Sequence, residues 1–305
     1  MSESKRFFVT GATGFVGREV VRRLLQSGHQ VVAVSRNPQK AERQLGPDVL
    51  IRSWDQSDSE LADDLSSCDV ALSLAGEPIA GRWSKAKKDR VLRSRVESTR
   101  KLTAAMSLTD SGPKVLVAAS AVGYYGHVEQ PTDETAAVGD GFLAGVCEAW
   151  EEEATRGAPS GVRVVLLRLG IVLGRKGGAL APMLAASRFG MLGRLGSGDQ
   201  AVAWIHLHDA AELFVAAALD QRFSGPINAV AGHVPQSEFV KTICQATGRR
   251  VGLGVPGGLV RTMLGDSAAL VLDSSAVEPR ALTALGFKFS FPDLEAALRQ
   301  VADSA

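Results

Sequence analysis

The stretch from Arg6 to Gly17, RFFVTGATGFVG, restricts this chain more than any other. The apolar run Phe7-Phe8-Val9 reads as a buried strand, and Gly11, Gly14 and Gly17 follow at three-residue spacing. Past Gly17, Val20, Val21, Leu24 and Leu25 recur at helical spacing, so the segment reads as strand, tight turn and helix. A helix starting at such a turn presents free N–H groups and the positive end of its dipole. Glycine leaves no Cβ between that backbone and an approaching phosphate. The pattern predicts a site where main-chain amides hold the diphosphate of a dinucleotide.

A second strand, QVVAV at residues 30–34, ends in Ser35-Arg36. In a dinucleotide fold this strand end meets the adenosine ribose, and an acid there would bond the 2′-hydroxyl. A small serine and a guanidinium suit a 2′-phosphate instead, through a charge-assisted bond, so NADP(H) is expected over NAD. A solvated surface arginine is the plainer alternative. Residues 49–51 form a third strand running to Trp54-Asp55. Asp55 is placed either to accept from the adenine amino group or to cap the helix expected over 57–67. The fourth strand, 69–74, ends in Ala75-Gly76-Glu77, with Glu77 and Arg82 on a loop beside the expected cofactor. A charged helix over 85–106 faces water or pairs with a second copy, and offers Arg95 to the sheet or the pocket.

Strand five, 115–119, runs out into Ser120-Ala121-Val122-Gly123-Tyr124-Tyr125-Gly126, which holds both tyrosines of the chain. Ligands in open α/β sheets bind beyond the carboxyl ends of the strands. Ser120, Tyr124 and Tyr125 are therefore candidate pocket residues, with ordinary packing as the alternative. A helix over 141–156 carries Trp150 and the run Glu151-Glu152-Glu153, and a sixth strand over 162–169 leads to Gly170-Ile171-Val172. Glycines at 177, 178, 190, 193, 196 and 198 suggest mobile loops over the pocket. A short strand over 203–206 precedes a helix capped by Asp209 and ending at Leu219. His206 reads as structural rather than as a proton donor. Past Pro226 the alternation weakens, with helices expected over 237–247, 258–264 and 293–302.

With 305 residues and 45% hydrophobic content the chain can bury a large core. The expected fold class is α/β: a Rossmann-type doubly wound parallel sheet over 1–225, with a smaller C-terminal α/β domain over 226–305 that helps close the pocket. A net charge of +1 points to neither nucleic acid nor a membrane surface. Cys68, Cys147 and Cys244 are odd in number and widely spread. No metal site or disulfide framework is expected from them, and a reducing, cytoplasmic setting is. The chain enters its first strand almost at once, leaving no room for a signal peptide, and no apolar run approaches a membrane span. Substrate and oligomeric state are not encoded in any motif.

The chain resembles the extended, atypical branch of the short-chain dehydrogenase/reductase superfamily. Thr10-Gly11-Ala12-Thr13-Gly14-Phe15-Val16-Gly17 is similar to that family's TGxTGxxG, and Leu74-Ala75-Gly76 to its strand-four motif. The resemblance is closer to the group called epimerase family proteins, which is NAD-dependent epimerase/dehydratase-like and cell-division-inhibitor-like. Ala75-Gly76-Glu77-Pro78-Ile79, the 120–126 stretch, Gly196-Ser197-Gly198-Asp199-Gln200 and Trp204-Ile205-His206 carry it. Pro279-Arg280-Ala281-Leu282, Gly286-Phe287-Lys288-Phe289 and Pro292-Asp293-Leu294-Glu295 resemble the small domain of unknown function that ends those proteins. The resemblance implies NADP(H) contacts from Gly11, Thr13, Gly14, Phe15, Val16 and Gly17. It also implies contacts from Ser35, Arg36, Leu74, Ala75, Gly76, Glu77 and Arg82, and places Gly170-Ile171-Val172 against the nicotinamide.

The chain departs from that superfamily at the reaction centre. Active members use Asn, Ser, Tyr and Lys, with Tyr and Lys spaced YxxxK. Here Phe142 stands at the tyrosine place, Val146 at the lysine place and Arg95 at the asparagine place, leaving Ser120 alone. Hydride transfer at a carbonyl requires a proton partner at the oxygen. Phe142 cannot exchange a proton, and Val146 cannot supply the charge that lowers a phenol from its ordinary pKa of about 10. Turnover would fall to Tyr125 or Tyr124, with Arg95, Arg82 or His206 supplying positive charge. Two functions follow: an NADP(H)-dependent oxidoreductase or epimerase of a small or sugar-like substrate with a non-standard acid, and a nucleotide-binding regulator or scaffold that has lost turnover.

Overall fold

The computed structural model describes residues 3–303. Strand β1 (Arg6–Thr10) runs through the glycine turn into helix α1 (Phe15–Gln26). The same step repeats through β2 (Gln30–Ser35), α2 (Pro38–Leu45), β3 (Val49–Ser53), α3 (Asp58–Ser66), β4 (Val70–Ser73), α4 (Lys85–Met106) and β5 (Val115–Ala121). A 3-10 turn (Val122–Tyr125) and β6 (Val128–Thr132) precede α5 (Phe142–Gly157), β7 (Arg163–Leu169), β8 (Ile171–Leu173), α6 (Leu180–Arg188), β9 (Ala201–His206) and α7 (Leu207–Leu219). Then come β10 (Gly225–Ala229), β11 (Gly232–Pro235), α8 (Gln236–Ala246), α9 (Gly257–Leu264), a second 3-10 turn (Gly265–Ala268) and α10 (Ala269–Leu272). The last elements are β12 (Ser275–Val277), α11 (Arg280–Leu285) and α12 (Leu294–Asp303).

Seven parallel strands form one sheet in the order β10-β7-β5-β4-β1-β2-β3. Both faces are covered: Phe7 and Val9 join one apolar cluster with α1 and α7, while Phe8 and Val32 join another with α3 and α4. Burial on both faces is why these strands read as unbroken apolar runs. The expected doubly wound sheet is thus the architecture of the chain. Its strand order reverses between β1 and β4, which opens a crevice at their carboxyl ends.

The strands beyond residue 225 do not stand apart from those before it. β10 is the edge strand of the large sheet, β11 pairs with β9, and β12 pairs with β6. These strands are short and their partners lie far back in the chain, which is why the alternation fades in the sequence. Two helix caps differ from expectation. Ser57, not Asp55, caps α3, in a reciprocal capping box with Glu60. The side chain of His206, not Asp209, caps α7. Buried Asp209 instead accepts the backbone N–H groups of Ser290 (2.8 Å) and Phe291 (3.0 Å), which fastens the C-terminal segment to α7. The stretch read as mobile glycine loops contains α6, and its Leu180 is buried beside Leu173 and Trp204. Among the described residues no helix is long and apolar enough to cross a membrane.

Candidate cofactor and active site

The glycine turn is fixed by close backbone contacts. Gly11 has φ +71°, and a Cβ on it would lie 2.5 Å from the Leu74 carbonyl; a Cβ on Gly17 would lie 2.2 Å from the Gly11 oxygen. Only glycine permits β4 to exit this close to the turn. The Leu74 N–H donates to the Thr10 carbonyl and to Thr10 Oγ1, both at 3.2 Å. Gly14 starts α1 with no side-chain cap, so the N–H groups of Phe15, Val16 and Gly17 lack helical partners. Gly14 is exposed, while Thr13, Phe15 and Val16 are half-buried around it.

At the end of β2, Ser35 Oγ accepts from the Asn37 N–H (3.1 Å) and donates to the Asn37 carbonyl (3.2 Å). Asn37 in turn caps α2. Arg36 is exposed, and its guanidinium makes no hydrogen bond or ion pair among the described residues. Glu77 lies across from it, beyond β4. A hydrogen bond from Lys87 (2.9 Å) holds the Glu77 carboxyl below its ordinary range, and the charges of Lys87, Arg90 and Arg36 add to this. Asp55 is exposed beyond β3. An uncapped helix end, glycines where a Cβ would intrude, and a guanidinium with no direct ion pair among the described residues fit the diphosphate and 2′-phosphate of NADP(H).

Other expected cofactor residues lie differently. Arg82 is exposed and leans on the second 3-10 turn, where a Cβ on Gly265 would be 3.6 Å from its Nε. The loop that carries it is drawn to the C-terminal segment, where Lys88 also pairs with Asp266 at 2.5 Å. At Gly170 the chain leaves the large sheet for the three-stranded one, and a Cβ there would come 2.8 Å from the Ala203 carbonyl. Ile171 and Val172 lie in β8, paired in parallel with Trp204 and Ile205. Beside Leu74 and Ala75, both half-buried, the Arg95 guanidinium lies under Gly76, donates to the Glu77 carbonyl (3.1 Å) and stacks on Trp150.

Ser120 and Tyr125 belong to one buried hydrogen-bond network. Ser120 is buried, and its hydroxyl donates to Glu151 Oε1 at 2.5 Å. Glu151 also accepts from Arg168 Nε (2.9 Å) and Nη2 (2.7 Å), with the two side chains 8% and 4% exposed. Arg168 Nη1 donates to the Tyr125 hydroxyl (2.8 Å), which donates to Asn228 Oδ1 (2.7 Å). Burial disfavours the Arg168 cation, but the hydrogen bonds and charge of Glu151 outweigh it and hold the guanidinium above its usual range. Burial pushes the Tyr125 phenol up, and the Arg168 hydrogen bond only partly offsets this. Side chains alternate along β5, and Ser120 pairs in register with Arg168, so the serine points into the protein. Neither hydroxyl is available to a substrate. Tyr124 is half-buried, with Arg168 3.5 Å over its ring, and its hydroxyl is uncommitted among the described residues.

The positions of the missing pair are filled by packing. Phe142 meets Trp83 edge-on at 5.1 Å with Lys88 5.3 Å from its ring, and Val146 is buried. Cys147 is also buried, its thiol pushed up to about 11 chiefly by burial, and so inert as a nucleophile. His206 is structural, as expected: Nδ1 accepts from the His208 N–H and Nε2 donates to Gln300.

Sequence reasoning missed Glu151, Arg168 and Asn228. The first two left a signal. Ala144, Cys147, Glu151 and Ala154 share one helical stripe, and Arg168 interrupts the apolar run Val164-Val165-Leu166-Leu167. A charge in each apolar register indicates a buried pair. Asn228, whose N–H bonds Glu134 Oε1 (3.0 Å), left none.

The family model described as "NAD dependent epimerase/dehydratase family" matches residues 7–230, and a domain of unknown function, DUF1731, matches 255–301. The human epimerase family protein SDR39U1 is 36% identical over 307 residues, covering 97% of this chain and 99% of its own. The epimerase family protein YfhF of Bacillus subtilis is 33% identical over 296 residues, 96% of each chain. The crystal structure of human SDR39U1 with NADPH superposes with a TM-score of 0.88 at 36% identity, covering 98% of this chain and all of that one.

Proposed function

Because the chain belongs to the NAD dependent epimerase/dehydratase family, we propose that it binds NADP(H) and acts as an atypical short-chain oxidoreductase on a small, carbonyl-bearing or sugar-like substrate. One observation carries the reading: Arg36, an exposed guanidinium with no hydrogen bond or direct ion pair among the described residues, stands one strand away from the uncapped start of α1. The human relative crystallised with NADPH supports the same cofactor. When bound, NADP(H) supplies the hydride. The amides of Phe15, Val16 and Gly17 hold the diphosphate, and Arg36 selects the 2′-phosphate. Tyr124 is the phenol left to move a proton, since the Tyr125 hydroxyl is committed to Arg168 and Asn228. Three buried free thiols are in keeping with a reducing setting such as the cytoplasm.

Sugar-nucleotide epimerisation is the less supported chemistry. It oxidises and re-reduces one substrate and leans hardest on the phenol–ammonium pair that Phe142 and Val146 replace. Burial of Ser120 and Tyr125 favours a second reading, a regulator that binds the cofactor without turnover. Loss of NADPH absorbance across a panel of carbonyls separates the two. The first reading expects turnover that Tyr124→Phe abolishes and Tyr125→Phe largely keeps. Tight NADPH binding with no turnover on any carbonyl, or full activity in Tyr124→Phe, would sink it.

A further inference from the structure

A cleft of about 560 Å³ lies between the loop after β8, one side of α6 and the ends of α8 and α12. None of the residues that line it takes part in the cofactor site. Four cations line it, Arg175, Lys176, Arg188 and Arg249, against one carboxylate, Asp303. Arg175 donates to the Ala302 carbonyl at 2.7 Å. The side chains of Lys176, Arg188 and Arg249 make no hydrogen bond or ion pair among the described residues. The ends of α6, α8 and α12 open here, and each carries roughly half a negative charge; with Asp303 they still leave, among the described residues, an excess of roughly one and a half positive charges. Capping of the helices therefore does not account for the cluster. In a chain of net charge +1 this is a local concentration of unpaired cations around a concavity of ligand size.

The cleft borders a second anomaly. Immediately past Arg188 and Arg249 two irregular segments run side by side as a narrow ribbon, tied by the Gly252 N–H to the Leu192 carbonyl (2.8 Å) and the Val255 N–H to the Arg194 carbonyl (2.7 Å), with a single parallel bridge between Leu195 and Val255. The ribbon carries Phe189, Met191 and Leu253, exposed by 76%, 68% and 91%. Large apolar side chains exposed together mark a binding surface. Here they adjoin arginines, whose planar fork suits phosphate.

We infer that cleft and ribbon form one site for a phosphorylated amphiphile, with the phosphoryl group held among Arg175, Lys176, Arg188 and Arg249 and an acyl or prenyl chain laid along Phe189, Met191 and Leu253. A single ligand accounts for both the unpaired cations and the exposed apolar side chains. Inorganic phosphate would leave the apolar side chains wet, and an uncharged lipid would leave the cations idle.

Calorimetry on the full chain saturated with NADPH tests this, since the cofactor then blocks the glycine turn as a competing diphosphate site. Farnesyl diphosphate is expected to bind about tenfold or more tightly than inorganic pyrophosphate, because burial of even a few methylene groups is worth that much. Arg188→Glu with Arg249→Glu is expected to abolish binding of both probes. Phe189→Ser with Leu253→Ser is expected to bring farnesyl diphosphate down to the pyrophosphate affinity. Both double variants change exposed side chains, so melting temperature and NADPH affinity should hold. Equal affinity for the two probes would overturn the apolar half. Binding that survives the charge reversal would overturn the site. Co-sedimentation with phosphatidylglycerol vesicles without binding of farnesyl diphosphate would replace it with a bilayer surface.

Discussion

Glu151→Gln puts the buried network to its strictest test. The carboxylate accepts three hydrogen bonds, one from Ser120 and two from Arg168, at 2.5 to 2.9 Å, with almost no water access. Glutamine keeps the shape and removes the charge, leaving the Arg168 cation uncompensated. Two unit charges about 4 Å apart at an effective dielectric of about 20 interact by about 4 kcal/mol, and losing one partner of a buried pair costs about 3–5 kcal/mol. A loss of about 3–4 kcal/mol is therefore expected, a large part of a total stability of roughly 5–15 kcal/mol. Urea denaturation of Glu151→Gln, Arg168→Leu and the Glu151→Leu/Arg168→Leu double variant measures it. The double variant should lose at least about 2 kcal/mol less than the sum of the single losses, because an apolar pair leaves no orphaned charge. Glu153→Gln is the control from the same acidic run: Glu153 pairs with the exposed Arg100 and should hardly move the midpoint. Equal losses for Glu151→Gln and Glu153→Gln, or strict additivity in the double variant, would refute the account.

Arg36→Ala should weaken NADPH binding by about 10- to 100-fold, the value of one charge-assisted bond, while leaving NADH unchanged; fluorescence titration of both cofactors reads it. Gly17→Ala forces a Cβ to 2.2 Å from the Gly11 oxygen, so it should cost about 1–3 kcal/mol by thermal unfolding and abolish NADPH binding. His206 titrates below its ordinary value of 6.5, chiefly because burial penalises its charged form. The unfolded chain then takes up the proton first, so the stability this histidine contributes is present above about pH 6.5 and is lost as pH falls. Melting curves below pH 6.5 should decline less steeply in His206→Gln.

The strands and the glycine turn were legible because period and spacing report directly on local structure. Phe7-Phe8-Val9 followed by Gly11, Gly14 and Gly17 leaves few options, and the apolar runs at 30–34 and 115–119 had to be buried on both faces. The strands after residue 225 were not legible, because each is short and takes its meaning from a partner well back in the chain: β10 from β7, β11 from β9, β12 from β6. Arg82 shows the same limit in a loop, where sequence gives proximity along the chain but not the direction in which a long side chain is drawn. The run Glu151-Glu152-Glu153 shows it most sharply. Three identical residues divide into one buried ligand of Arg168 and two surface partners, of Arg156 and Arg100.

The sequence by itself determined the dinucleotide turn, the guanidinium one strand later and the absence of a phenol and an ammonium at positions 142 and 146. Each is a matter of which groups exist and how far apart they stand along the chain. Only the tertiary structure decided that Ser120 turns inward, that Tyr125 is saturated and that Tyr124 is not. Those outcomes depend on the face of the sheet each residue occupies and on which distant charge meets it there, and the free energy of a polar group is set by its surroundings rather than by its neighbours in sequence.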